Sequence, residues 1–224
     1  MIVNEINTII DANHMLKHKF YQMWSAGELD LGVLQNYAGQ YFHHVDAFPR
    51  YVSRIHSNCL NLKDRQVLLD NLCDEEKGDE NHPELWLRFA DGVGASREAV
   101  INANLLEETQ ALVNGFFELA NHSYAKGLGA LYAYERQVPA VAKSKIEGLK
   151  KFYGIDDLAA LQFFEVHMSA DQWHSDECAH LIAKLSHSDQ QIAAEGAEKA
   201  AKLLWNFLTG VQKHFASHCK MCAA

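Results

Sequence analysis

The sequence predicts an all-α protein, and three observations carry that expectation. Apolar residues recur three and four apart almost everywhere, strand-like alternation is nearly absent, and only three prolines interrupt 224 residues. The periodicity places helices over 2–16, 18–25, 30–57, 62–77, 82–93, 96–123, 126–152, 156–186 and 189–216. Local punctuation supports these segments. Asp30 is placed to cap the third helix after a turn at Gly27, Gly154 followed by Asp156 separates two later helices, and Ser188 with Gln191 forms a capping box for the last. Pro49 and Pro139 fall inside helical patterns, where each should kink its helix or mark a local break. No internal repeat, low-complexity tract or composition shift marks a linker, so one domain is expected over residues 1–217, followed by a flexible tail at 218–224.

Composition narrows the function classes. Hydrophobic residues make up 48% and charged residues 22%, an ordinary globular balance that favours a folded core. The formal charge is −9 and no run of Lys and Arg forms a phosphate-tracking stripe, which argues against nucleic acid as a partner. Apolar runs fall short of the ~20 residues of a membrane span, and MIVNEINTII lacks a basic signal-peptide start. No membrane partner and a cytoplasmic location are therefore expected. The cysteines, Cys59, Cys73, Cys178, Cys219 and Cys222, are odd in number and form no framework, so reduced thiols are expected. Cys219 and Cys222 have C-x-x-C spacing beside His218, but zinc normally takes four ligands. A frayed terminus is the simpler reading of that tail.

The segment EVHMSADQWHSDE places His167, Asp171 and His174 at i, i+4 and i+7. At ~3.6 residues per turn all three fall in one narrow stripe, so a single helix can offer three ligands. Imidazoles mixed with carboxylate suit iron, manganese or zinc rather than calcium or magnesium. A solvated polar face is the alternative from spacing alone. Glu135 shifts the balance, because Leu128, Leu131, Tyr132 and Val138 stand at neighbouring helical positions and direct its side chain into the core. A buried carboxylate needs a cation, donors or a raised pKa. Glu75 follows Leu68 and Leu72 on one face, with His82 seven residues on, although the charge-rich DEEKGDE around it also fits a solvated helix end. The only E-x-x-H match singled out, Glu177 with His180, leaves the ferritin-like pattern of two such motifs unfilled.

The stretches HKFYQMWSAGELDLGVLQNYAGQYFHHVDAFPRYVSRIHSNC, RQVLLDNLCDEEKGDENHPELW, ALYAYERQVPAVAKSKIEGL and FFEVHMSADQWH resemble the family of the chlamydial protein associating with death domains and its bacterial relatives. The resemblance runs from about residue 10 to residue 185. It implies a haem-oxygenase-like helical bundle, shared with thiaminase-like and pyrroloquinoline-quinone-synthase-like proteins. It also implies a dimetal centre of iron, or iron with manganese, bound by Glu75, His82, Glu135, His167, Asp171 and His174. The implied reaction forms p-aminobenzoate for folate synthesis, with dioxygen and a reductant as co-substrates. Tyr21 matches a tyrosine consumed as the source of the ring, and Lys145 matches a lysine that donates the amino group. A homodimer and a separate, unidentified electron donor go with the resemblance.

The chemistry is coherent, since metals held by carboxylates and imidazoles can change oxidation state beside a phenol. Such a protein would act once or a few times, because nothing restores a consumed residue. Without the resemblance, Tyr21 beside Trp24 reads as a core anchor and Lys145 in AKSKIEGLKK as part of a solvated face. Tyr41, His43, His44, Tyr51 and His56 form a polar, aromatic set on one long helix, suited to lining a pocket or relaying protons, with His43 or His44 in the core. The rival functions are a metal-free oxidase like the pyrroloquinoline quinone synthases and a death-domain-type interaction module.

Overall fold

Side-chain caps set most of the helix starts. Asp30 accepts a hydrogen bond from the Val33 amide, Asn61 from Lys63 and Asp64, Asn81 from Glu84, Ser123 from Lys126 and Asp157 from Ala160. The computed structural model describes residues 2–217. Its helices are α1 (Ile2–Ala12), α2 (Lys19–Ala26), α3 (Leu31–Asn58), α4 (Leu62–Glu76), α5 (His82–Gly92), α6 (Arg97–Ile101), α7 (Glu107–His122), α8 (Tyr124–Glu135), α9 (Val138–Phe152), α10 (Leu158–Ala183) and α11 (His187–Phe215). A 3-10 turn at Met15–Lys17 joins α1 to α2, and no strand occurs among the described residues.

Several boundaries differ from the periodic pattern, each for a local reason. The first helix stops at Ala12 rather than 16, and the segment 96–123 is two helices, α6 and α7. Gln40 holds the break between them, since its Nε2 donates to Asn104 O at 2.9 Å while its Oε1 accepts from the Leu106 amide at 3.0 Å and from Thr109 Oγ1 at 2.6 Å. The segment 126–152 also divides, with Pro139 in the first turn of α9, where a missing amide hydrogen does no harm. Pro49 instead lies within α3, which continues to Asn58. The last helix is capped by Ser186, which accepts from the Asp189 amide, and not by Ser188.

Buried side chains from α1 to α11 form one continuous apolar cluster. The closest helix pair is α8 with α11, where a Cβ added at Gly129 would collide with the Ala193 backbone and one at Gly196 with the Lys126 backbone. That approach fixes α8, and with it Glu135. Helix α10 packs against α5, α8 and α9, so its polar stripe has protein on several sides. Among the described residues, no helix is long and apolar enough to cross a membrane.

Candidate metal centre

All six candidate ligands are inside the protein. Glu75, His82, Glu135, His167, Asp171 and His174 are between 1% and 4% exposed, which removes the solvated-face reading of α10. Ligand atoms of Glu75, His82 and His167 lie within 4.8 Å of one another. His82 Nδ1 is 2.6 Å from Glu75 Oε2. Burial opposes a charge on His82, but the Glu75 carboxylate overcomes this and raises its pKa. His167 Nδ1 is 2.5 Å from the Phe163 carbonyl, which can only accept, so Nδ1 carries the proton. Burial also holds His167 neutral, first among the causes that lower its pKa, and its Nε2 is therefore left with a free lone pair.

The other three residues are less well satisfied. Glu135 Oε1 accepts from Asn71 Nδ2 at 2.5 Å, and Oε2 accepts from Cys178 Sγ at 3.2 Å. Burial nevertheless lifts its pKa to about 8. Asp171 is pushed well above the usual carboxylate range, by burial first and then by the charges of Glu135 and Glu75. Its Oδ2 has no hydrogen-bond partner among the described residues. His174 Nε2 is 3.2 Å from Asp74 Oδ2, an ion-pair distance without hydrogen-bond geometry, and burial lowers its pKa. Three mutually repelling buried carboxylates, an orphaned oxygen and a free imidazole nitrogen form a donor set that bound divalent cations would neutralise. The six residues thus fit a pair of transition metals.

Beside this cluster lies a buried phenol and amine. Lys145 Nζ donates to Tyr37 Oη at 2.6 Å, and the Tyr21 and Tyr37 hydroxyls are 2.9 Å apart. Lys145 Nζ is 5.3 Å from the centre of the Tyr21 ring. Lys145 is 3% exposed, which overturns the solvated-face reading of its lysine-rich run. Burial drives its pKa well down, which favours the neutral amine among the aromatic rings around it. Tyr37 stacks on Tyr41 with ring centres 5.4 Å apart, and Tyr41 donates to Tyr134 Oη at 2.9 Å. The charges of Asp171 and Glu75 act on both Tyr41 and Tyr134, so the chain of aromatic and hydroxyl contacts from Tyr21 comes within electrostatic reach of the carboxylates.

Four of these participants escaped the sequence reading: Asn71, Cys178, Tyr37 and Tyr134. Two carried a usable signal, because Cys178 continues the 167, 171, 174 stripe by one turn and Asn71 precedes Glu75 by one turn. Of the set on α3, Tyr41 joins the pocket. His44 is fully buried in an aromatic box, with neither ring nitrogen partnered among the described residues and its pKa lowered to about 3 by burial. Tyr51 is buried, and His43 and His56 are half-buried. Cys59, Cys73 and Cys178 are free thiols, whereas His218, Cys219 and Cys222 lie outside the described residues.

A family model described as "Iron-containing redox enzyme" matches residues 35–205. The chain belongs to this family. This redox enzyme is 38% identical to the 4-aminobenzoate synthase of Nitrosomonas europaea, covering 96% of this chain and 92% of that protein. It is 39% identical to the 4-aminobenzoate synthase of Chlamydia muridarum, over 97% and 93% of the two chains. Its fold is haem-oxygenase-like, matching a crystal structure from Shewanella denitrificans with that fold at a TM-score of 0.81 and 16% identity, over 96% and 91% of the chains.

Proposed function

We propose that this iron-family enzyme makes 4-aminobenzoate, using its own Tyr21 as the ring source and Lys145 as the nitrogen source. The carrying observation is the near-full-length identity to 4-aminobenzoate synthases, together with a buried Lys145 amine 5.3 Å from the Tyr21 ring centre. Glu75, His82, Glu135, His167, Asp171 and His174 would hold two metals, iron with iron or iron with manganese. When bound, these metals supply one-electron redox chemistry and activation of dioxygen, with electrons from a separate reductant.

The protein's own groups prepare the reactants. Burial keeps the Tyr21 phenol protonated by raising its pKa. The same burial leaves Lys145 with its lone pair, the form an amine needs to give nitrogen to carbon. Tyr37 ties the two together, accepting from Lys145 and sharing a hydrogen bond with Tyr21. The surrounding rings of Trp24, Tyr37, Tyr41, Trp86 and Phe164 exclude water from the amine. A cytoplasmic homodimer served by a separate electron donor belongs to this reading. A metal-free quinone-forming oxidase or a pure interaction module would leave six buried, convergent ligand-type residues without a purpose.

The test is iron- and manganese-loaded protein given dioxygen and reductant, with 4-aminobenzoate and the mass of the Tyr21 peptide followed by mass spectrometry. Product from wild type, accompanied by a mass change at Tyr21 and absent from Tyr21→Phe, supports the reading. Product formed equally by Tyr21→Phe would remove the self-consuming part of it. No metal and no product in the wild type would end it.

A further inference from the structure

We propose that Asn71 and Cys178 are positioning residues that clamp the Glu135 carboxylate for metal binding, an inference that rests on the dimetal reading above. Each carboxylate oxygen is held by a different helix: Asn71 Nδ2 on α4 reaches Oε1 at 2.5 Å, and Cys178 Sγ on α10 reaches Oε2 at 3.2 Å. In the ionised form that binds metal, the Glu135 carboxylate only accepts, so the amide nitrogen faces it and the thiol donates. Both side chains are 2% exposed, leaving no water to take over either role.

The placement of the pair is what distinguishes it from ordinary core packing. Asn71 stands one turn before Glu75, and Cys178 one turn after His174, so the two helices that carry most of the other candidate ligands also grip the carboxylate from α8. Each oxygen of Glu135 accepts one hydrogen bond in this arrangement and keeps a further lone pair. Glu135 is thereby held at a fixed angle while remaining able to bind metal. Asn71 Oδ1 is buried with no partner among the described residues. A leucine of similar size would avoid that unpaired oxygen, so packing alone gives no reason for an amide. The hydrogen bond from Nδ2 does.

Ligand-orienting contacts of this kind change metal affinity by about 10–100-fold when removed. The experiment uses full-length protein freed of metal, titrated with Mn(II) alone against a competing chelator, with electron paramagnetic resonance of the bound ion. Cys178→Ala and Asn71→Leu should each weaken Mn(II) binding by about 10–100-fold and alter the spectrum. Cys178→Ser, which keeps a donor, should return affinity to within about 3-fold of wild type and restore the spectrum. A merely structural cysteine would not be rescued in this way, because serine packs worse than alanine in an apolar core. Wild-type affinity and spectrum in both Cys178→Ala and Asn71→Leu, in a protein that binds two Mn(II) per chain, would overturn the clamp and leave the dimetal reading standing. A wild type that binds neither Mn(II) nor Fe(II) would overturn both. If Cys178→Ala fails to fold, a folded Cys178→Ser with wild-type binding alongside weakened Asn71→Leu supports the clamp, and wild-type binding in Asn71→Leu overturns it.

Discussion

Glu75, His82 and His167 differ from Glu135, Asp171 and His174, although all six residues are buried. In the first cluster each imidazole has a defined partner, Glu75 for His82 and the Phe163 carbonyl for His167, and the ligand atoms already lie within 4.8 Å of one another. In the second, Asp171 keeps an orphaned oxygen and His174 turns toward the half-exposed Asp74. In the dimetal reading the two halves would hold metal unequally: one has both imidazoles organised by hydrogen bonds, whereas in the other only Glu135 is so held, by Asn71 and Cys178, and Asp171 Oδ2 has no partner among the described residues.

The largest expected effect follows directly. His167→Ala should empty the organised half and lower metal content from about two per chain to below one, with product formation lost by at least ~100-fold. Asp171→Asn should leave about one metal per chain, because it spares Glu75, His82 and His167. Metal analysis of the purified variants checks both. Equal metal loss in the two variants would break the asymmetry and make the six residues one cooperative unit.

The next effect concerns stability without metal. Burial raises the Glu135 pKa from 4.5 to about 8, so the folded state favours its protonated form. That contribution is fully present below pH 4.5 and is lost as pH rises toward about 8, at a slope of ~1.4 kcal/mol per pH unit for a single group. Metal-free Glu135→Gln, which cannot ionise, should therefore gain stability relative to wild type across that window and level off above it. Denaturant midpoints measured for both proteins at several pH values decide this. A flat difference would mean that Glu135 ionises in the fold as easily as in the unfolded chain.

How far these features were legible in the sequence depended on whether they were local. Helix content, the Asp30 cap and the inward direction of Glu135 follow from periodicity and neighbours within a turn or two. The break around Gln137 was signalled by Pro139, which starts α9, whereas the break at 102–106 was not legible, because it depends on Gln40 in a distant helix. Lys145 was misleading for a similar reason: its neighbours Lys143, Lys150 and Lys151 indicate a solvated face, and only the packing of α2, α3, α5 and α10 around it closes the amine off from water. Asn71 and Cys178 had the right helical spacing, but an amide and a thiol carry no signature until the carboxylate they hold is located in space. The family resemblance of the stretch around it, HKFYQMW, is what raised Tyr21 above the general run of core tyrosines.

A smaller effect separates the metal centre from the aromatic pocket. Lys145→Met replaces a neutral buried amine with an apolar chain of similar length, so about two metals per chain should remain while product disappears. Stability should shift by no more than ~1.5 kcal/mol, the scale of the lost hydrogen bond to Tyr37. Loss of metal in this variant would show that the pocket and the centre are mechanically one site.

The smallest effect is expected at His44, behind Tyr41 and Tyr134. This imidazole touches Tyr41, Phe48, Tyr51, Phe116 and Tyr134, yet neither of its nitrogens has a partner among the described residues. Burial lowers its pKa to about 3, so its contribution to stability is present above the unfolded value of 6.5 and is lost as pH falls toward about 3. His44→Phe should remove two buried unsatisfied groups, raise stability by ~1 kcal/mol at neutral pH and reduce sensitivity to acid, with metal content unchanged. Thermal melts at pH 7 and pH 5 check it, and the gain should be larger at pH 5. A variant that melts lower and loses metal would instead tie His44 to the centre through Tyr134 and Glu135, making the aromatic box part of the site rather than its support.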